Sequence, residues 1–568
     1  MIEITQRPDG RIQIKTPYTM VDLCRAIAGR RWDVARRAWH MPATPAVACA
    51  VIAAVTDVEP EFVAPQFLAV LAQHEGQAEL LRAETSLPPI PLTVLPPWSN
   101  QLRGYHMIDR QAATFLAWEM GTGKTKPVVD AVVNIKNIQR AIVLCPSSVV
   151  AVWPKEFEKH AATPVHVVAL SKGAVKKRTA EAIAALKWAE RIGQRCVIVI
   201  NFEAAWREPF AAWAMAVPWD IVIADESHRV KSPGGKASKY LAKLGKDAGR
   251  RVCLTGTPMP HSPLDVYAQF RFLDPGIYGT SFTNFRARYA VMGGFENHQV
   301  LSYQNLDDLH NKFFSIADRV KKTDVLDLPP FVHEERIIEL SPSTRRVYND
   351  LETEMIADVG RGVVTASNAL ARLIRLQQAT SGYAVIESDV TDHHGVPKQE
   401  IVELDADKQK ALRDLLENDI EPGQPIIVFC RFHHDLDAVH TAAAAAGRQS
   451  VELSGRRNEV GSVWVDGPDT VAAIQIQAGG VGVDLTRAHV AVYYSIGFNG
   501  GDYLQSLARP HRHGQEHNVT YIHFIAEKTV DRKIRRALSV RAAIVESVLT
   551  QAPDVIGSVL KQYSEQEN

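Results

Sequence analysis

The residues whose chemistry is most readily named close a glycine-rich turn, Ala117-Trp118-Glu119-Met120-Gly121-Thr122-Gly123-Lys124-Thr125. Backbone N–H groups of such a turn, at the start of a helix, form a cradle for an anion. Gly121 and Gly123 lack a Cβ, so the backbone can come close to a phosphate. Lys124 would sit on the β- and γ-phosphates of a nucleotide, and the Thr125 hydroxyl on a magnesium ion. Trp118 stands where the general phosphate-loop pattern has glycine. An ordinary glycine turn is the plain alternative. About 100 residues further on, within the span of one α/β domain, Trp219 to Ala224 reads as a buried strand that runs into Asp225-Glu226-Ser227-His228. An acidic pair at the carboxyl end of a strand supplies a magnesium ligand and a base for water. A solvated acidic turn is the plain alternative, and it fits less well once a phosphate loop precedes it in this order.

The second half of the chain carries no phosphate loop. It has Gln477-Ala478-Gly479-Gly480-Val481-Gly482-Val483-Asp484-Leu485 and, after that, Gln505 to Gln515 with Arg509 and Arg512. Three positions apart on a helix, the two arginines would share a face. Two guanidiniums suit a polyphosphate whose charge grows in the transition state. A surface basic helix is the alternative. A site divided between two lobes makes hydrolysis depend on closure.

These residues need a frame to hold them. From about residue 98 the pattern is strand, loop, helix, repeated, with strands expected at Ala141–Cys145, Cys196–Ile200, Asp220–Ala224 and Val252–Thr255. Short apolar strands separated by helices argue a parallel sheet covered on both faces. Residues 276–400 break the rhythm and read as a helical insertion or linker. A second α/β rhythm starts near Asp407, with strands at Ile426–Cys430, Ser450–Leu453, Val471–Ile476, Val490–Tyr494 and Val519–Phe524. The expected fold is α/β with two lobes (98–275 and 401–550), a helical region between them, a small α+β unit over 1–60, a helix and Pro-rich linker over 61–97, and a polar tail over 551–568. In the first unit, Ile2 to Thr16 alternates around Pro8-Asp9-Gly10 as a β-hairpin does, a short helix is expected from Met20 to Ala28, and an alanine-rich helix ends near Val55. Arg25, Arg30, Arg31, Arg36 and Arg37 are interleaved with Trp32 and Trp39. They could grip a phosphate backbone and stack on bases, or form a solvated basic face over core tryptophans.

Composition excludes several classes. The 568 residues carry 64 Lys and Arg against 64 Asp and Glu, so any surface for nucleic acid must be local. Cys24, Cys49, Cys145, Cys196, Cys253 and Cys430 form no C-x-x-C pair, which argues core thiols in a reducing compartment and no zinc site. The longest apolar run, Ala46 to Val55, is too short for a bilayer, and no signal peptide opens the chain, so a cytoplasmic protein is expected; a monomer is the separate expectation for its assembly.

Taken in order, the motifs resemble those of the Snf-type ATPases of helicase superfamily two, over roughly 98–550. The carriers are Leu102-Arg103-Gly104-Tyr105, the Glu119–Thr125 loop, Leu144-Cys145-Pro146 with Trp153, Glu156 and Phe157, and Asp225-Glu226-Ser227-His228-Arg229-Val230-Lys231. Leu254-Thr255-Gly256-Thr257-Pro258 with Leu273-Asp274-Pro275, Arg319 to Lys321 with Leu328-Pro329-Pro330, Ile427-Val428-Phe429, residues 479–485 and residues 505–515 complete the series. The resemblance implies two RecA-like lobes and a DNA-dependent ATPase that uses ATP and Mg2+ and translocates on, remodels or anneals duplex DNA. A strand-separating helicase and a non-catalytic DNA-binding scaffold are the rivals. It assigns nucleotide contacts to Arg103, Tyr105, Met120, Gly121, Thr122, Gly123, Lys124, Thr125, Gly482, Asp484 and Gln505, and magnesium to Thr125 and Asp225. Lys124, Asp225, Glu226, His228, Arg509 and Arg512 would be catalytic, with Thr255 and Thr257 coupling the site to DNA. Four positions depart from the family: His106 for an adenine-reading glutamine, Trp118 for an acid, Ser227 for alanine and Asp484 for asparagine. The first departure predicts poor separation of ATP from GTP. The N-terminal hairpin, Trp32-Asp33, Arg36-Arg37-Ala38-Trp39 and Pro42 are similar to the HARP-like module of annealing helicases. That similarity implies contacts with forked or branched DNA through Arg31, Arg36 and Trp39. The short stretch between Leu453 and Val471 is similar to phage-encoded members.

Overall fold

The computed structural model describes residues 2–7, 11–17, 24, 27, 30–41, 45–55, 62–63, 87–294, 299–353, 356–358, 363–365, 369–391, 397–460, 464, 467, 469–477 and 484–550. Contacts divide the chain into two compact units. Of the described residues, one unit holds those up to Val325 together with Val545 to Thr550, and the other those from Leu326 to Ile544.

Within the first unit, the N-terminal strands are β1 (Glu3–Gln6), β2 (Ile12–Lys15), β3 (Arg31–Asp33), β4 (Ala38–Met41) and β5 (Phe62–Val63), in the order β3-β4-β2-β1-β5. The expected hairpin is present, with Ile4 opposite Ile14. Period-two alternation drives it, because Ile2, Ile4, Ile12 and Ile14 all point into one core with Val47, Ala48 and Val51 of the helix Pro45–Val55. The sheet reaches Val63, beyond the expected boundary at 60, because β5 pairs in parallel with β1. The helix expected over Met20–Ala28 lies largely outside the described residues, as do 64–86 and the tail.

A seven-stranded sheet follows, beginning with β6 (Ala113–Trp118), β7 (Arg140–Cys145), β8 (Val165–Leu170), β9 (Arg195–Asn201), β10 (Ile221–Asp225) and β11 (Arg250–Leu254). A short hairpin, β12 (Ala290–Gly293) with β13 (Gln299–Tyr303), precedes β14 (Ala317–Val320). The sheet order is β14-β6-β11-β10-β7-β9-β8, and every pairing is parallel. Alternate residues feed two separate cores. Phe115, Ile142, Leu144, Ile198 and Ile200 face one, and Leu116, Val143, Val197, Val199, Ile221 and Ile223 face the other. Helices on both faces explain why these strands read as continuous apolar runs.

The second unit starts with β15 (Phe331–Ile338), then the ribbons β16 (Ile356–Asp358) with β17 (Val363–Thr365) and β18 (Tyr383–Thr391) with β19 (Pro397–Glu403). Then come β20 (Ile426–Cys430), β21 (Gln449–Leu453), β22 (Thr470–Gln475), β23 (Val490–Tyr493) and β24 (Val519–Ala526). Its six strands run β15-β24-β23-β20-β22-β21, again all parallel. The two α/β sheets with covered faces match the expected fold class.

The stretch 276–400, expected to be helical, does contain the helices Phe282–Tyr289, Leu306–Phe313, Pro342–Thr353 and Ala369–Thr380. It also contributes an edge strand to each large sheet, β14 and β15. Both carry charged residues at an edge, so neither shows the apolar run that marks an inner strand.

Candidate active site

Parallel pairing of β6, β11 and β10 as neighbours puts the ends of these three strands side by side. The loops that follow them are the glycine-rich loop, Thr255–Thr257 and the acidic box. Residues far apart in the chain thus meet at one carboxyl edge, where α/β sheets bind ligands.

The glycine-rich loop has the conformation its sequence implies. Gly121 and Gly123 have φ of 88° and 76°, the left-handed region that glycine enters without strain. The helix Thr125–Asn134 begins directly after Lys124. Thr122 is buried and its hydroxyl donates to the Glu119 carbonyl at 2.7 Å, while Lys124 Nζ lies 3.3 Å from the same oxygen. Gly256 packs on this loop: a Cβ there would meet Met120 N and Trp118 O at 3.2 Å.

The acidic pair is tightly specified. Asp225 ends β10; it accepts from Trp153 Nε1 at 3.1 Å and from Glu226 N at 3.0 Å. Glu226 is left-handed at φ 50°, a strained state for a residue with a side chain, of the kind that collects at functional sites. Thr255 Oγ1 donates to Glu226 Oε2 at 3.2 Å. His228 Nδ1 is 3.3 Å from that oxygen and 2.9 Å from the Thr255 hydroxyl. Thr257 N donates to Thr255 Oγ1 at 3.1 Å. Glu226, His228, Thr255 and Thr257, four of the eight residues expected to act in catalysis or coupling, therefore join one network. Burial, and then the charge of Glu226, push the Asp225 carboxyl up. Burial acts the same way on Glu226, but the bond and charge of His228, with Lys124 and Thr255, hold it down. Ser227, the small-for-small departure, donates to Gln269 Oε1 at 2.7 Å, and Gln269 in turn donates to the Pro258 carbonyl at 2.7 Å.

Other expected residues are placed differently. Arg103 grips Asp318 with both Nε and Nη2, at 3.1 and 3.2 Å. Tyr105 is buried in the core that holds Trp118 and Val128. His106 is buried too, with Nε2 2.7 Å from the Pro88 carbonyl. In the second unit the helix Gly500–Leu507 carries half-buried Gln505 and stops short of Arg509. Arg509 and Arg512 therefore do not share a helical face. Proline at 510 lacks an N–H and disfavours helix at the residue before it, so the segment turns. Arg509 is buried and Arg512 half-buried. Gln515 holds the turn, donating to the carbonyls of Thr486, Pro510 and Ala488 at 2.8, 3.0 and 3.2 Å. Asp484 is exposed and accepts from Thr486 N and Oγ1 at 3.0 and 2.7 Å. Burial would raise its pKa, but these two bonds and the charge of Arg512 lower it. Gly482 lies outside the described residues. Arg31, Arg36 and Trp39 are in the N-terminal sheet. Both arginines are exposed; Trp39 packs half-buried on that core, edge-on to exposed Trp32 at 5.1 Å.

The residues present fit a nucleotide with a divalent cation. The left-handed glycines open the loop's amides, and a buried carboxylate destabilised by a neighbouring one gains from a cation beside it. Sequence reading passed over Trp153 as a partner of Asp225, and over Asp318, because neither pairing has a local signal.

Residues 66–382 match the model of the SNF2-related domain, and residues 407–514 that of the helicase conserved C-terminal domain. An uncharacterized ATP-dependent helicase of Mycoplasma genitalium is 23% identical over 457 residues, which cover 78% of this chain and 41% of that protein. A SWI/SNF-related matrix-associated actin-dependent regulator of chromatin subfamily A-like protein 1 homolog of Caenorhabditis elegans is 24% identical, covering 95% of this chain and 73% of that one. A putative protein of Acyrthosiphon pisum secondary endosymbiont phage 1 is 26% identical, covering 78% and 95%. The chain spans less than half the length of the Mycoplasma relative.

Proposed function

The chain belongs to the SNF2-related family, and from that premise we propose that it hydrolyses ATP in response to duplex DNA and uses the energy to translocate on or remodel it. The convergence of Glu226, His228 and Thr255 beside the glycine-rich loop carries this reading.

Lys124 and the loop amides hold the β- and γ-phosphates. Glu226 orients the attacking water and takes its proton, and His228 and Thr255 fix the carboxylate that does so. Thr125 and Asp225 would hold a magnesium ion, which when bound neutralises phosphate charge. Arg509 and Arg512 are assigned the charge that grows on the transferred phosphoryl group. Thr257, which donates to Thr255, would couple the water-handling network to bound DNA. Arg31, Arg36 and Trp39 of the N-terminal sheet would contact phosphates and bases of forked or branched DNA; exposed Trp32 beside Trp39 supports an aromatic surface there. Buried thiols at Cys24, Cys145, Cys196, Cys253 and Cys430 support a reducing compartment, and we place the protein in the cytoplasm as a monomer. No described helix is long and apolar enough to cross a membrane.

The test is the ATPase rate without DNA and with single-stranded, duplex and forked DNA. Duplex should raise turnover. Equal rates in all four conditions would overturn the reading.

A further inference from the structure

We propose that Trp98 and Gln101 form a purine seat at the rim of the phosphate loop, with His106 taking no part in reading the base. This rests on the reading of Gly121 to Thr125 as a phosphate loop.

The helix Ser99–Arg110 starts against that loop. Asn100, 1% exposed, donates from Nδ2 to the Thr122 carbonyl at 3.0 Å and so ties the helix start to the loop. Gln101, 5% exposed, accepts from Trp98 N through Oε1 at 2.9 Å. That bond fixes the orientation of the amide, since only its oxygen can accept from an N–H. Nε2 is then left as a pure donor with no hydrogen-bond partner among the described residues. It occupies the place a Cβ at residue 123 would fill, 2.2 Å from that point, so it lies directly on the loop. Without a protein acceptor, this N–H is available to an acceptor on a ligand. Trp98 Cζ3 is 3.8 Å from the same point, and its indole is 38% exposed. A large flat apolar face and a donor-only amide thus stand together at the edge of the anion cradle. His106, the residue at the family's base-reading position, is 4% exposed and engaged with Pro88.

The chemistry of the pair selects a class. The indole stacks on any base, and more fully on two fused rings. A donor without an acceptor matches N7, which adenine and guanine share and pyrimidines lack. The seat therefore selects purine triphosphates over pyrimidine ones and separates ATP from GTP little.

The experiment is titration calorimetry of the full chain with ATP, GTP, CTP, UTP and inorganic tripolyphosphate, for the wild type and for Trp98→Ala, Trp98→Phe, Gln101→Leu and His106→Ala. Purine triphosphates should bind the wild type about tenfold more tightly than the other three ligands, with ATP and GTP within about threefold of each other. Trp98→Ala should remove about tenfold from purine affinity and Gln101→Leu several-fold, with tripolyphosphate unchanged in both. Trp98→Phe should restore most of the stacking, and His106→Ala should leave the purine-to-tripolyphosphate ratio unaltered. That ratio is internal to each variant, so altered stability does not imitate the effect. The seat is overturned if the Trp98 and Gln101 variants weaken tripolyphosphate as much as ATP, or if the wild type binds all triphosphates alike. A wild type that binds no triphosphate at all would instead remove the phosphate-loop reading beneath it.

Discussion

Asp318 receives both Nε and Nη2 of Arg103 on one side and the Trp118 indole N–H, at 2.7 Å, on the other. A carboxylate on β14 therefore sits between the helix Ser99–Arg110 and the strand that leads into the glycine-rich loop. Trp118 takes the place of the acid expected in this family, and Asp318 supplies a carboxylate from a different strand.

That relationship predicts the effect of Asp318→Asn. The amide keeps the shape but offers Arg103 one acceptor where there were two, and no charge. A partly buried guanidinium losing its partner should cost about 1–3 kcal/mol. Melting temperature should fall and KM for ATP should rise. Trp118→Phe removes that hydrogen bond and, because the indole is fully buried, also leaves a cavity, so it should cost about 2–3 kcal/mol. Gly104→Ala approaches the same spot from the helix: its Cβ would stand 2.7 Å from Trp118 Cη2, and the overpacking should cost about 1–3 kcal/mol. Trp118→Leu should relieve that cost, and a double-mutant cycle by thermal unfolding checks it.

Glu226→Gln should retain ATP binding and lose turnover by at least about 100-fold. Gln keeps the shape that Thr255 holds, and Lys124 still meets the phosphates. Binding is read by calorimetry and turnover by phosphate release. A variant within a few-fold of wild-type turnover would remove Glu226 from its assigned role.

The second unit should lose stability in acid through Glu452. Burial would raise this carboxyl, but Arg456, Ser454 and His440 together hold it down to about 2. In the unfolded chain a glutamate titrates near about 4.3. Because the folded value is the lower one, the stabilisation is fully present above that unfolded value and is lost as pH falls from there toward about 2. Glu452→Gln should be less stable than wild type at neutral pH, and the gap should narrow as pH drops through that window. Unfolding midpoints at a series of pH values measure it.

Removing the N-terminal module should leave a folded ATPase that duplex DNA stimulates, with weaker binding to forks. The cut belongs after Val63 rather than at 60, because β5 would otherwise remain as an unpaired edge without β1. Trp39→Ala distinguishes the alternatives for that residue: weak fork binding in a stable protein, or instability from a damaged core. Identical fork and duplex responses in the truncated and full chains would exclude a DNA-selecting role.

The sequence by itself determined the loops that carry the chemistry and the strands that carry the loops. Gly121 and Gly123, the box from Asp225 to His228 and the inner strands β7, β9, β10, β20 and β23 are written locally. A left-handed turn demands glycine, and a strand covered on both faces demands an unbroken apolar run. What only the tertiary structure decided is pairing across long stretches of chain. Asp318 reaches Arg103 and Trp118 from some 200 residues away, and Trp153 meets Asp225 from another strand's helix. The edge strands β14 and β15 are short or charged and look like linker until a neighbour pairs with them. The same holds for Arg509 and Arg512, whose three-residue spacing suggests one helical face until Pro510 turns the chain between them. Periodicity records which way a residue faces within its own element. Which residue it faces depends on the order in which parallel strands assemble, and that order leaves no local trace in the sequence.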